Sequence, residues 1–315
     1  MMLMQEYYFQ CKAMDTLVEI AGTGKIGLFH WEQEIENWFE QFESICSRFR
    51  PTSELSLLNN QPNETVIQIN PTLYEILKKA SHYSTLTDYY FNPYLGKAIK
   101  AYGYKVTFNE IKDKSNLEIS PYQYERYRDE PIVFLPLING VIKNADYEID
   151  LGGIAKGWSV DKVASIVKEL GIENGIVNAG GDIFVWGEEE RTIGVQHPSP
   201  ELSDKDIIQF KMRNGGIATS NTLYRSWKTR GKRVHHILKG KEGSPSESDI
   251  VQATAFSSNT TEADVLAKIL CMHNFKEALP WMMKYFPHAG CILVKNDGQV
   301  AISQSVKNYV SRMVM

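Results

Sequence analysis

Between residues 6 and 30 apolar and polar positions alternate closely enough for two β-strands, and Gly22-Thr23-Gly24 reads as the turn that joins them. The period then changes. Trp31, Ile35, Trp38, Phe39, Phe42, Ile45, Cys46 and Phe49 recur at helical spacing, and Pro51 closes that helix. Asn70-Pro71 predicts a second start, a cap followed by proline at the first helical position, with Leu73, Ile76, Leu77, Ala80 and Tyr83 as the buried stripe. Residues 105–148 hold several short strand candidates whose order the pattern does not reveal. Further on, Glu148–Leu151 reads as a short strand. Ile154, Trp158, Val163, Ala164, Val167 and Leu170 form one helix face, with Gly171 as its C-terminal stop. Ile176–Asn178 and Ile183–Trp186 read as strands on either side of Gly180-Gly181-Asp182. Residues 251–257 predict a strand. Asn259, with Glu262 three residues on, predicts a capping box opening the next helix. Asn296-Asp297-Gly298 predicts a hairpin within residues 291–303. Strands and helices mix without regular βαβ alternation, so the fold class is α+β.

Composition changes this picture little. The 315 residues are 43% hydrophobic and 23% charged, which suits one large or two modest domains with real cores. A net charge of −4 without any basic run argues against a nucleic-acid or anionic-membrane partner. No stretch approaches the roughly 18 apolar residues of a membrane-spanning helix. The first ten residues have neither a basic start nor the apolar run of a signal peptide, so a cytoplasmic protein is expected, or an extracytoplasmic one if a leader has been removed. Cys11, Cys46, Cys271 and Cys291 lack zinc-like spacing, and Cys46 and Cys271 fall on apolar helix faces as small hydrophobes.

Three clusters could carry chemistry. The first is DLGGIAKG at 150–157. Two glycines precede a helix start, where unpaired N–H groups and a partial positive charge favour an anion, and Lys156 adds a full charge. The same residues also suit tight strand–helix packing with a solvated lysine. The GTGK at 22–25 only imitates a phosphate loop: Glu19 stands where its first glycine belongs and Ile26 where Ser or Thr belongs. The second cluster is His235-His236. Neighbouring residues on a strand face opposite ways, so at most one of the two serves a given site, and no third ligand lies at zinc-like spacing. The third is Asp264 with Lys268 four residues on. That is the favourable order for a surface ion pair on a helix, and it also suits a carboxylate that holds a cation.

These clusters, with KAMDT (12–16), SRFRPTSELSLLN (47–59), YFNPYLGKAIKAYGY (90–104), VNAGGDIFVWG (177–187), IGVQHP (193–198), IATS (217–220), HHILKGKEGSP (235–245) and EADVLAK (262–268), follow one another in an order that resembles the FAD:protein FMN transferase (ApbE-like) family over nearly the whole chain. DLGGIAKG followed about 25 residues later by NAGGD is the most specific part, a spacing that a helix and its return strand fill. The resemblance implies an α+β, T-fold-related architecture of mixed sheets with packed helices, in one domain over 1–315 or two intertwined α/β lobes. It also implies transfer of FMN from FAD, with Mg²⁺, to a Thr or Ser hydroxyl of an acceptor flavoprotein, releasing AMP. The alternatives are an FAD-binding homologue without transfer and an FAD pyrophosphatase. Carried over by position, Met14 meets the flavin end. Phe49, Tyr90, Phe91, Asn92, Asp150, Lys156, Asp182 and Leu238 contact FAD, and the Gly153 carbonyl and Asp264 hold the metal. His236 matches the histidine required for transfer. Lys268 stands at a metal-ligand position usually held by Thr; an ammonium has donors and no lone pair, so it cannot be a ligand while protonated. In the loop after His236, Lys239, Gly240 and Glu242 replace the usual Asp, Pro and Thr.

Overall fold

The computed structural model describes residues 4–25, 30–112, 117, 120, 124, 130–229 and 232–314. The chain divides into two compact units. The first comprises residues up to Trp38, Lys156–Tyr224 and Glu247 onward; the second comprises Phe39–Ala155 and Arg225–Ser246.

The first unit is built on an eight-stranded sheet: β1 (Gln5–Ala13), β2 (Thr16–Gly24), β3 (Ile172–Ala179), β4 (Asp182–Trp186), β5 (Gly215–Asn221), β6 (Ile250–Ser257), β7 (Gly290–Lys295) and β8 (Val300–Ile302). Spatial order follows chain order, and every neighbouring pair is antiparallel. Two helices bear on the site: α1 (Ala155–Glu169) between β2 and β3, and α2 (Thr260–Leu270) between β6 and β7. A three-stranded sheet of Arg191–Gln196, Asp206–Met212 and Val310–Val314 shares a core with the large one, in which Val185, Phe210, Met212, Ile217 and Phe256 are buried.

The first hairpin corrects the expected turn. β1 and β2 are joined by Met14-Asp15, both left-handed at φ 53° and 59°, and Ala13 pairs with Thr16 across the two-residue loop. Gly22 and Gly24 lie inside β2 instead. They are glycines because a Cβ there would strike the Asn174 and Gly171 carbonyl oxygens of the neighbouring chain. The remaining signals hold better. The helix Trp31–Cys46 forms but ends before Phe49, which the pattern places on its face, and Trp31 lies edge-on to Phe9 at 5.6 Å. The hairpin Gly290–Lys295/Val300–Ile302 turns at Asn296–Gly298. Asn259 caps α2 by accepting from the Glu262 N–H at 2.8 Å. The reciprocal half of the box is spent elsewhere: the Glu262 carboxylate accepts from Ser257 Oγ at 2.5 Å and meets His288 Nε2 at 2.5 Å.

In the second unit, Asn70 caps the helix Pro71–Leu86 by accepting from the Thr72 N–H at 2.9 Å, and Leu73, Ile76, Leu77, Ala80 and Tyr83 are all buried. Val66–Gln68, Gly140–Lys143 and Ile132–Leu135 make a small antiparallel sheet, and Ser226–Thr229 with Lys232–His235 a hairpin. Most of 113–129 lies outside the described residues, so the strand candidates there do too. The expected strand Glu148–Leu151 does not form. Its backbone bonds to a loop: Asp150 N–H donates to the Pro93 carbonyl at 2.8 Å, and Gly96 N–H to that of Glu148 at 2.8 Å. Among the described residues no helix is long and apolar enough to cross a membrane.

Candidate active site

In the first unit, the opening turn of α1 gathers four of the expected residues. The Lys156 ammonium pairs with the carboxylate of Asp182, which is 1% exposed at the start of β4. Gly157 N–H, one of the helix's orphan donors, gives to Asp264 Oδ2 at 3.2 Å. Ser159 Oγ donates to the Lys156 carbonyl at 2.7 Å and lies 3.4 Å from Met14 Sδ in the β1–β2 turn. Met14, Lys156, Asp182 and Asp264 are therefore linked through residues 156–159 of one helix turn. The Gly180-Gly181 turn leads into Asp182 and is held by Gly181 N–H donating to Asn178 Oδ1 at 2.9 Å.

Asp264 reaches this place because α1 and α2 cross closely at Gly157. A Cβ on Gly157 would sit 2.8 Å from the Thr260 carbonyl carbon and 2.9 Å from Asp264 Cβ. One turn along α1, Asp161 fastens the start of α2. Its carboxylate accepts the N–H groups of Thr260 and Thr261, each at 2.8 Å, and the Thr261 hydroxyl at 2.5 Å. Burial raises the Asp161 pKa, and the bonds from Thr261 and Thr260 oppose that rise. Asp264 is thus 4% exposed, on a buried helix face rather than the solvated face that a surface pair with Lys268 implies. Lys268 itself is half-buried.

In the second unit, Arg48 organises the expected flavin-side residues. It pairs with Asp150 at 3.2 Å, donates to the Tyr104 carbonyl at 2.9 Å, and stacks over the rings of Phe49 at 4.0 Å and Tyr104 at 4.7 Å. Asp150 Oδ1 also accepts from the Gly152 N–H at 2.8 Å, which folds the bend that runs through Gly153, at φ 89°, into α1. Leu238 is buried with Leu95, Ala98, Tyr104 and Trp227, and Phe49 packs against the same cluster. Asn92 donates to the Gly240 carbonyl at 2.7 Å and to the Tyr124 hydroxyl at 2.8 Å, and accepts from the Tyr94 N–H at 2.9 Å. Phe91 is wholly buried, and Lys241 lies 4.4 Å over the Tyr90 ring. In the altered loop, Lys239 pairs with Glu242 at 3.2 Å.

The two histidines separate in role. His235 ends its strand with Nε2 at 3.0 Å from the Ser246 carbonyl, and burial holds its pKa below the ordinary histidine value. His236 lies just past the strand, its Nδ1 3.3 Å from the Arg225 carbonyl. A carbonyl only accepts, so that contact requires the proton on Nδ1 and leaves Nε2 as the basic nitrogen.

Sequence reasoning missed Arg48, Gly157 and Asp161. Arg48 and Gly157 lie inside the quoted motifs, and an Arg beside an aromatic is a visible signal. The role of Gly157 depends on a neighbour 107 residues away.

Among the described residues no three His, Cys, Asp or Glu side chains converge as a ready-made metal cage. Mg²⁺ does not require one, since it keeps waters and substrate phosphate oxygens and uses one or two carboxylates. Asp264 fits that demand and Lys268 does not.

A mixed α+β fold agrees with the comparisons. The ApbE family model matches residues 14–293, and the chain belongs to the ApbE family. An FAD:protein FMN transferase of Treponema pallidum is 23% identical over 293 residues, covering 88% of this chain and 80% of that protein. One from Chlamydia pneumoniae is 26% identical over 261 residues, covering 79% and 78%. Among solved structures, the ApbE protein of Thermotoga maritima superposes with a TM-score of 0.81 at 21% identity, over 98% of this chain and 100% of that one. The flavin transferase ApbE of Vibrio cholerae gives 0.76 at 22% identity, over 98% and 100%.

Proposed function

We infer that this protein is an FAD:protein FMN transferase. A hydroxyl oxygen of an acceptor Thr or Ser bonds to the flavin-side phosphorus of FAD. The bridging P–O bond breaks, AMP leaves, and the hydroxyl proton passes to a base. The chemistry needs charge held on the diphosphate and a positioned nucleophile.

The observation that carries this reading is the meeting of Asp264 with the first turn of α1, next to the Lys156–Asp182 pair. Oriented N–H groups and an ammonium suit the diphosphate, and one buried carboxylate suits a hard cation. Mg²⁺, when held by Asp264, would neutralise charge on the phosphate oxygens during transfer. Met14, at the turn beside Ser159, serves the flavin end. In the second unit, Arg48 pairs with Asp150 and holds it in orientation, while the Phe49 and Leu238 cluster offers an apolar wall. Asn92 fixes the loop at Gly240, and His236 Nε2 takes the hydroxyl proton.

The test is to incubate the protein with FAD, Mg²⁺ and a threonine-bearing acceptor domain and to weigh the acceptor. The expected result is an FMN-sized mass gain with stoichiometric AMP, both lost in Asp264→Asn. AMP without acceptor modification would identify a pyrophosphatase, and FAD bound but unreacted would identify a binding homologue.

A further inference from the structure

We propose that two copies of this chain associate by antiparallel pairing of β1, centred on Phe9, into one continuous sheet. β1 is the end strand of the eight-stranded sheet, nine residues long and paired with β2 over its whole length without a bulge. The opposite end of the sheet is blunted, because β8 has only three residues. A long, flat edge is a template for another strand.

The ladder determines which backbone groups face outward. Ala13 and Thr16 close a two-residue turn, so they form a hydrogen-bonded pair, and the odd-numbered residues of β1 bond to β2. Glu6, Tyr8, Gln10 and Lys12 turn their N–H and C=O groups the other way, and among the described residues no strand meets them. All four side chains are exposed, Tyr8 at 61%.

A two-fold pairing of β1 with itself must place even residues opposite even residues. Centring on Tyr8 sets Tyr8 against itself and leaves Lys12 beyond the partner strand; centring on Gln10 sets Tyr8 against Lys12 and leaves Glu6 unmatched. Only the centre at Phe9 overlaps the full strand. It also sets Glu6 opposite the partner's Lys12 and Tyr8 opposite the partner's Gln10, twice over by symmetry. Four such pairs exchange about eight backbone hydrogen bonds, with opposite charges facing at both ends. The same register brings the partner's Met4 to the Met14-Asp15 turn, and Met4 is 47% exposed.

The register is testable residue by residue. Tyr7 would face the partner's Cys11 in a non-hydrogen-bonded pair with Cα atoms about 4.5 Å apart, within disulfide reach. Tyr7→Cys should give a covalent dimer under mild oxidation, and a second change, Cys11→Ser, should abolish it. Tyr8→Pro removes an N–H that β2 does not use, so the sheet survives and the outer pairing is lost. By analytical ultracentrifugation the native chain should sediment at twice its 35.9 kDa mass and the Tyr8→Pro variant at the single mass, with an unchanged circular dichroism spectrum. Lys12→Glu should raise the dimer dissociation constant about tenfold, and Glu6→Lys added to it should restore the native value. A native monomer at all concentrations, a dimer that persists in Tyr8→Pro, or no cross-link from Tyr7→Cys would overturn the proposal.

Discussion

Replacing Gly157 by alanine separates two opposing effects. Alanine is the better helix former by about 1 kcal/mol in a helix interior, and by less in the first turn, where Gly157 lies. The added Cβ would stand 2.9 Å from Asp264 Cβ and still closer to the Thr260 carbonyl oxygen, both on the facing helix. The second of these is backbone and cannot turn aside. Overpacking of this kind costs about 1–3 kcal/mol. Parting the helices also stretches the 3.2 Å bond from Gly157 N–H to Asp264, a bond to a charged group worth about 1.5–3 kcal/mol. The Asp161 bonds to the start of α2 resist that movement, so part of the strain stays at the contact. The net expectation is a loss of about 1–3 kcal/mol, read as a lower urea midpoint at unchanged slope. Turnover should fall further than stability implies, about 100-fold, because a shift near 1 Å at the carboxylate proposed to hold the metal would cost that much. A variant as stable as the parent and equally active would refute the view that this glycine sets the position of Asp264.

Lys268→Thr should lower the Mg²⁺ concentration needed for half-maximal transfer, since a hydroxyl replaces a cation near Asp264; an unchanged Mg²⁺ response would remove Lys268 from the site. Lys156→Met leaves Asp182 buried without its ammonium and should cost about 1–3 kcal/mol, less than a fully buried pair because Lys156 is 25% exposed. Adding Asp182→Asn should recover much of that stability in chemical denaturation without recovering FAD binding by fluorescence titration. For His235, burial lowers the folded pKa, so below an unfolded value of about 6.5 the unfolded chain binds more protons. Stability should fall as pH drops from there toward the folded pKa and then level off, and His235→Gln should flatten that limb.

The parts of the fold that were legible in the sequence rest on short-range rules. Asn70-Pro71 and its stripe, the face that begins at Trp31, and the hairpin at Asn296–Gly298 each depend on neighbours within a few turns, where periodicity and caps decide. The errors fall where distant chain decides. Gly22 and Gly24 looked like a turn, yet they are small so that β3 and the residue before it can approach, while the real turn uses Met14 and Asp15 in a conformation that non-glycine residues seldom adopt. Glu148–Leu151 has an extended pattern, but its partners are loop carbonyls and amides at 93–96, so no strand results.

The candidate site shows the same division. Its glycine bend and helix start could be read from two glycines and the apolar face that follows, because a helix start advertises itself locally. The burial of Asp264 could not, because it depends on the absence of a side chain at Gly157 and on the three bonds that Asp161 makes to the start of α2. The charges follow one plan in both units. Each candidate cation, Lys156 or Arg48, already holds a carboxylate, Asp182 or Asp150. A cation so paired keeps its side chain in one orientation, which in the proposed reading would spare the entropic cost of ordering it when a substrate anion binds. Asp264 differs, since its bond comes from a neutral N–H. In the proposed reading, that buried carboxylate is the group that would hold a divalent ion accompanying the diphosphate.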